Sequence, residues 1–105
     1  MGTSGNDFFN QQSNEDNHYR LRLFVAGTSP ASVRAINNLG ELLEKQLPNQ
    51  YDLEIIDIHQ QPELAQQENI TAVPMLIKKT PGPQRLLVGD MSDTGKVLRG
   101  LGLDN

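Results

Sequence analysis

One long amphipathic helix, set between two strand-like segments, constrains the fold of this chain more than any other feature. From Pro30 onward, apolar residues recur every three or four positions, which predicts a single helix of about 17 residues that stops at Pro48-Asn49. Ser29 is the expected N-cap, and Pro30 suits the first helical position. The apolar stripe expected to face the core comprises Val33, Ile36, Leu39, Leu43 and Leu47.

The segments on either side of this helix are typical of strands. In YRLRLFVAG, two leucines and a valine alternate with Arg20 and Arg22, and the strand is expected to end at Gly27. A second strand is predicted from Tyr51 to Ile58. A strand, a helix and a second strand in this order close right-handed into a parallel pair. The fold class predicted from these elements is therefore α/β.

The second half of the chain contains shorter elements. Pro62 marks the start of a short helix, and two further strands are expected over 74–79 and 84–89. The TPGP sequence between these strands predicts a tight turn, in which Pro81 presets φ and Gly82 is able to take a positive φ.

A last helix is predicted near the end of the chain. We expect Asp90 or Ser92 to cap its N-terminus. The residues that it is expected to bury are Val97, Leu98 and Leu101. Gly100 lies inside this helix and weakens it by about 1 kcal/mol relative to alanine.

The complete predicted order is βαβαββα, which is the order of thioredoxin-like domains. In such domains a cis-proline directly precedes the third strand, and Pro74 occupies that place here. An X-Pro bond gives up only about 0.5–1 kcal/mol of trans preference, so a fold can hold it cis. The alternative is that Pro74 simply begins an ordinary strand, where its missing N–H does no harm.

Length and composition indicate one folded domain with an N-terminal tail. The chain has 105 residues, which is enough for one domain. Residues 1–18 contain only two large apolar side chains among Gly, Ser, Asn, Gln and acidic residues. Such a composition cannot bury enough surface to offset the entropy of ordering it. We therefore predict a disordered tail over 1–18 and a single domain over 19–105.

Charge and hydropathy exclude several classes of function. The net charge is −4, and no basic stripe of the kind that binds nucleic acid is present. No apolar run approaches the ~20 residues of a membrane-spanning helix. The N-terminus lacks the layout of a signal peptide, so we expect a cytoplasmic protein.

The residues that could carry chemistry do not form a recognisable catalytic or metal-binding pattern. The absence of cysteine excludes disulfides and dithiol redox catalysis. Ser29 and Ser32 lack the adjacent base that a serine nucleophile needs. Asp57, Asp90 and Asp93 lack the spacing of known metal motifs. We therefore expect a protein that is not an enzyme and that has no cofactor or metal.

Four segments of the chain resemble the KaiB family of the cyanobacterial circadian clock. They are LRLFVAGTSPASVRAINNL, IIDI with the following QPELA, ITAVPMLIKK, and LLVGDMSDTGKVLRGL. Each motif alone is weak, whereas all four in this order are specific. Together they span about 19–103.

This resemblance implies a regulatory adaptor that docks on the ring of a KaiC-like ATPase, in circadian timing or a related regulatory or stress pathway. A KaiA-like protein is an implied further partner. The alternative that we consider is the thioredoxin-like sensory domain of a KaiB-related histidine kinase.

The resemblance also implies that the chain can adopt two folds. One is the thioredoxin-like βαβαββα monomer, which is the binding-competent state. The other is a ground state of order βαββααβ that assembles as a tetramer. Self-association to a dimer or tetramer is therefore also expected.

The family's surface positions imply the site residues of this chain. The partner-binding candidates are Arg34, Asp52, Glu54, Asn69, Lys78 and Arg85. The positions expected to be structural are Gly27, Pro74, Gly89, Asp90 and Gly100. The chain departs from the family at Glu54, Asn69 and Leu86, because the family carries lysine at 54 and 69 and arginine at both 85 and 86. Because these changes remove or invert positive charge, they argue against binding to a standard KaiA.

Overall fold

The computed structural model describes residues 18–103, so the predicted tail over 1–18 lies outside the described residues except for His18. The element order is the predicted βαβαββα, and the alternative order βαββααβ is not the one observed. The elements are β1 (Tyr19–Val25), α1 (Pro30–Gln46), β2 (Tyr51–Asp57), α2 (Pro62–Gln67), β3 (Met75–Thr80), β4 (Arg85–Val88) and α3 (Thr94–Leu101).

The strands form one sheet in the order β2-β1-β3-β4. β1 pairs parallel with β2, as a right-handed βαβ unit requires. β1 and β4 both pair antiparallel with β3. β1 is therefore a central strand, and β2 and β4 are the two edges of the sheet within the described residues.

The larger core lies on the sheet face covered by α1 and α3. Leu21, Leu23 and Val25 of β1 point into it together, as their alternation predicts. The helices contribute Ala35, Leu39, Leu43, Val97 and Leu101.

One part of the predicted helical stripe is wrong, because Val33 is 43% exposed. The buried line of α1 instead runs through Ser32, Ala35, Leu39 and Leu43. Val33 lies one position away from Ser32, which is about 100° around the helix. At its N-terminal end, α1 therefore buries small side chains against the sheet.

The opposite face of the sheet carries a smaller core. Phe24, Ile56, Met75 and Ile77 are buried there, and Leu64 of α2 packs against them. α2 has only six residues and covers one end of this face. Towards the other end, the same face presents Arg20 and Arg22, which alternate with the leucines of β1. Half of this face is therefore polar.

The cap of α1 is as predicted, and the cap of α3 is not. The Ser29 side chain accepts a hydrogen bond from the Ser32 N–H, and Pro30 opens the helix. α3 begins later than expected, so Asp93, and not Asp90 or Ser92, caps it by accepting from the Lys96 N–H at 3.1 Å.

The prolines around β3 have defined geometry. The Val73–Pro74 bond is cis, as the thioredoxin-like order implies. The Thr80–Pro81 bond at the other end of β3 is also cis, which the sequence did not indicate. Gly82 has φ of +74°, a conformation that the sequence of this turn allows.

Gly100 allows α3 to pack closely on β4. A Cβ at this position would come within 2.6 Å of the Leu87 Cδ1 atom and 2.9 Å of its Cγ atom. Such distances are far shorter than a normal carbon–carbon contact, so α3 or Leu87 would have to move. The glycine that weakens the helix therefore permits its packing.

We expect Gly100→Ala to lower the free energy of unfolding by about 1–3 kcal/mol, because overpacking outweighs the gain in helix propensity. Chemical denaturation followed by circular dichroism measures the effect.

Gly95→Ala is the matched control in the same helix. A Cβ there would meet only the flexible end of Arg99 at 3.4 Å and Asp93 Oδ1 at 3.7 Å. This variant should be stabilised by up to about 1 kcal/mol. If both variants gain stability alike, close packing at Gly100 is not a constraint.

Candidate interaction surface

The loop that leads into α1 stands where thioredoxins carry their two cysteines. Here it contains Ser29 and Ser32, whose side chains bond to each other at 2.8 Å between the Oγ atoms. The Ser32 Oγ also accepts a hydrogen bond from the Ala26 N–H at 3.0 Å. Both hydroxyls therefore hold the loop in place. Neither bonds to a histidine or carboxylate among the described residues.

Gly27 in this loop has φ of +54°, a conformation that favours glycine. A Cβ there would lie 3.9 Å from both Asp57 Oδ2 and His59 Nδ1. Asp57 Oδ1 accepts from the His59 N–H at 2.9 Å, which closes the turn after β2.

Within residues 18–103, no group of three potential metal ligands comes together.

The polar half of the sheet carries a network of ion pairs centred on Arg22. Its Nε atom lies 3.0 Å from Glu54 Oε1 on β2, and its Nη1 atom lies 3.1 Å from Glu68 Oε2. Lys79 of β3 also donates to Glu68. Glu68 follows α2 directly, and its side chain is largely buried. This network therefore joins three strands, β1, β2 and β3, to the segment that follows α2.

Asp52 belongs to the same face. It lies 3.0 Å from His18 Nε2 and 3.9 Å from Arg20 Nη1. The parallel register places Arg20 beside Asp52 and Arg22 beside Glu54. A cavity of about 370 Å³ opens here, and its lining includes Arg20, Arg22, Asp52, Glu54 and Lys79.

We call the residues Arg20, Arg22, Asp52, Glu54, Glu68 and Lys79 the charged face. The structure brings the predicted residues Asp52 and Glu54 together on it, and Asn69 follows Glu68 in the chain with φ of +57°. Sequence reasoning did not assign Arg22 or Glu68 to a site. The alternation of Arg20-x-Arg22 with Asp52-x-Glu54 was a usable signal, because neighbouring parallel strands pair side chains on the same face.

Arg34 occupies a different place, at the start of α1. Its Nε atom lies 3.0 Å from Asp90 Oδ2, and Asn38 Nδ2 donates to the Asp90 carbonyl at 2.9 Å. Hydrogen bonds from Ser92, and then from Arg34, lower the pKa of the Asp90 carboxyl. Asp90 thus ties the loop after β4 to α1, and much of the Arg34 side chain remains exposed.

Lys78 and Arg85 face each other across the β3–β4 pair. Lys78 is only 6% exposed, and its Nζ atom donates to the Pro81 carbonyl. Burial, and then the nearby charge of Arg85, lowers the pKa of Lys78. Arg85 is exposed, so of these two cations it is the one that can reach a partner.

We expect Glu68→Ala to lower the free energy of unfolding by about 1–3 kcal/mol, because it removes a largely buried acceptor shared by Arg22 and Lys79. Urea denaturation measures this change. Glu41→Ala, at an exposed position of α1, is the control and should change stability by less than about 0.5 kcal/mol. Equal effects of the two substitutions would show that the charged face does not stabilise the fold.

The Asp90 carboxyl should make stability depend on pH. Because its folded pKa lies below the ordinary value of 3.8, its contribution is present above that pH and is lost as the pH falls through the folded pKa. Asp90→Asn should therefore be less stable than the parent at neutral pH, with the difference shrinking below about pH 4. Urea melts of both proteins across this range test the prediction. A difference that is constant with pH would contradict it.

Comparison with known proteins identifies the family. A family model described as the KaiB domain matches residues 22–103. The circadian clock oscillator protein KaiB of Prochlorococcus marinus (strain MIT 9312) is 48% identical over 85 residues, which cover 81% of each chain. The protein of the same name from Trichodesmium erythraeum is 47% identical and covers 81% of this chain and 82% of its own.

Solved structures share the fold. The N-terminal domain of Synechococcus elongatus SasA has a TM-score of 0.67 at 24% identity, covering 85% of this chain and 88% of its own. The thioredoxin Deadhead of Drosophila melanogaster has a TM-score of 0.67 at 15% identity, covering 92% and 90%. The fold is thus thioredoxin-like.

The helices between residues 18 and 103 were also compared with the length and apolarity of a membrane span, and none of them reaches both.

The family match begins within β1 and runs past the end of α3, so it includes all or part of every element described above. The chain belongs to the KaiB family of circadian clock proteins.

Proposed function

We propose that this protein is a non-catalytic cytoplasmic adaptor that docks on the ring of a KaiC-like ATPase, in circadian timing or a related regulatory pathway. The observation that carries this proposal is the family membership. The relatives are named circadian clock oscillator proteins, and about four-fifths of both chains align at nearly half identity.

The loop before α1 supports a role without catalysis. At the place of the thioredoxin dithiol, this chain has two serine hydroxyls that bond to each other and to the backbone. A serine acts as a nucleophile only when a base takes its proton. The two hydroxyls of this loop therefore act as a helix cap. In this proposal, the fold presents a surface to a partner protein and not a catalytic group.

Arg34 and Arg85 are the cations best placed to meet an acidic patch of the ATPase ring. Both are exposed, and each lies on a regular element whose backbone is held by hydrogen bonds. Charges at the rim of an interface act mainly on the association rate and on the choice of partner. Arg34 pairs with Asp90 but keeps 57% of its side chain exposed. Arg22 and Lys79 of the charged face also pair with carboxylates and are only 28% and 31% exposed, so they are less available.

The likeness to the SasA N-terminal domain supports a second candidate, in which a domain of this kind is the sensory part of a KaiB-related histidine kinase. An immunoblot of the host extract separates the two candidates. A band at the mass of this chain supports the adaptor, and a band only at a much higher mass supports the sensory domain.

The docking proposal is tested with the KaiC-like ATPase encoded in the same genome. We expect a stable complex with the parent protein in the presence of ATP, measured by biolayer interferometry. Arg34→Gln should slow association several-fold, because it removes an exposed charge near the proposed contact.

Two control variants sharpen this test. Lys45→Gln removes an exposed charge in the last turn of α1 and should leave the rate unchanged. Asp90→Asn breaks the same ion pair but keeps the cation, so it should preserve binding. Absence of a complex with the parent protein would overturn the proposal, and equal loss in all three variants would remove Arg34 from the contact.

A further inference from the structure

Two neighbouring cations at the edge of the sheet have no carboxylate partner within residues 18–103. Lys78 and Arg85 lie directly opposite each other on β3 and β4. Neither belongs to any of the ion pairs that the described residues form. Lys78 is buried and donates to a carbonyl, whereas Arg85 is exposed. Because like charges directly opposite each other destabilise a sheet, this pair leaves an excess of positive charge that an anion would stabilise.

An exposed apolar pair lies next to Arg85 on the same edge strand. Leu86 is 56% exposed and Val88 is 46% exposed. They stand opposite Ile77 and Met75 of β3, so they extend the smaller core to the rim of the sheet. In the described part of the chain, β3 is the only strand that pairs with β4. Natural proteins usually protect such an edge with charge, proline or a covering segment, so an uncovered apolar edge indicates a place where another segment binds.

The backbone groups of the same two residues point away from the sheet. The Gly89 N–H donates to the Pro74 carbonyl at 3.0 Å, next to the pair Met75–Val88. In an antiparallel ladder, consecutive residues alternate between bonding to the partner strand and pointing away from it. The N–H and C=O groups of Leu86 and Val88 are therefore directed outward, where an extended segment of another protein can bond to them.

An antiparallel segment that binds at this edge must have a defined sequence pattern. Its residues opposite Val88 and Leu86 point to the face of the smaller core, so they should be apolar. The residue after the second of them stands opposite Arg85 and points to the other face, where a carboxylate would meet the guanidinium. This pair is not hydrogen-bonded, so its two side chains approach closely. Read from N- to C-terminus, the pattern is therefore apolar, any residue, apolar, acidic.

The chain's own β4 does not have this pattern. If it paired with itself about Leu87, Gly89 and not a carboxylate would stand opposite Arg85. Each copy would also bring its own Lys78 and Arg85 to the contact, with no anion opposite them. The charge at this edge therefore favours a different chain as the occupant, in agreement with the monomeric state that the family resemblance gives to this fold.

We infer that the β4 edge binds an extended apolar and acidic segment of a partner protein, which adds a fifth strand antiparallel to β4 and pairs a carboxylate with Arg85. Main-chain hydrogen bonds contribute affinity, and the two apolar positions and the carboxylate determine specificity. The contact is short, since β4 has four residues, so a peptide alone binds weakly. This inference goes beyond the proposed function, because the ATPase is not required as the partner. A test with a peptide alone can therefore fail while the docking proposal stands.

A synthetic peptide of sequence Ser-Thr-Val-Thr-Val-Asp-Ser, acetylated and amidated at its ends, tests the inference. It is titrated to about 1 mM into the full chain labelled with nitrogen-15, and the amide signals are followed by NMR. The signals of Leu86 and Val88 should move downfield, because their N–H groups gain hydrogen bonds. Ile55 is the internal control, since it is 45% exposed on the opposite edge strand β2, and its signal should not move.

A double-mutant cycle tests the role of the carboxylate. Replacing the aspartate of the peptide by asparagine should weaken binding several-fold, and Arg85→Gln should weaken binding of the original peptide by a similar factor. The Arg85→Gln protein should bind the two peptides equally, because the ion pair is absent from both complexes. Arg99→Gln removes an exposed cation of α3 and is the matched control, so it should keep the preference for the aspartate peptide.

Several outcomes would overturn the inference. One is the absence of shifts at Leu86 and Val88, and another is equal shifts at both edge strands. An Arg85→Gln protein that still prefers the aspartate peptide would also do so. Shifts of the same two amides when the protein is concentrated without peptide would assign the edge to a second copy, and the inference would then be wrong.

Discussion

The structure depends on β1, a strand that is hydrogen-bonded on both sides and apolar on both faces at its C-terminal end. Leu23 and Phe24 are fully buried, yet they belong to different cores. One core lies under α1 and α3, and the other lies under α2. Because successive side chains of a strand point to opposite faces, two adjacent residues of β1 organise both layers of the domain. α1 and α3 pack on the face of the sheet that carries Leu23, and α2 packs on the face that carries Phe24.

The N-terminal half of β1 is polar on one of its two faces. Arg20 and Arg22 cannot be buried without partners, and the parallel register supplies Asp52 and Glu54 beside them. Glu68 and Lys79 then extend the charges across the sheet to β3. The family resemblance assigned the acidic residues of β2 to partner binding. In the structure they also satisfy arginines of their own chain, so any partner must compete with these internal ion pairs.

Local chemistry determined which features could be predicted from the sequence. Ser29 and Pro30 marked the start of α1 correctly, because a cap and a first-turn proline act within a few residues. The cap of α3 was misplaced, because Asp90, Ser92 and Asp93 are all suitable caps and the tertiary bonds of Asp90 to Arg34 decide among them. The burial of Ser32 in place of Val33 likewise depends on how α1 is rotated against the sheet. The candidate site was only half predictable, since Glu68 reaches Arg22 through a loop conformation that no periodicity encodes.

α2 differs from the other helices in how it is held. It has six residues, none of them fully buried, and its N-cap residue Gln61 makes no side-chain capping bond. Its attachment to the domain rests on Leu64 and on the ion pairs of Glu68, just beyond its end. Such a segment can unfold locally at a small fraction of the global free energy, while the sheet and α1 stay intact. Amide hydrogens of α2 would then exchange with solvent orders of magnitude faster than those of β1. When α2 opens, the part of the smaller core that Leu64 covers becomes accessible to solvent, so this face behaves as a surface that is hidden only part of the time.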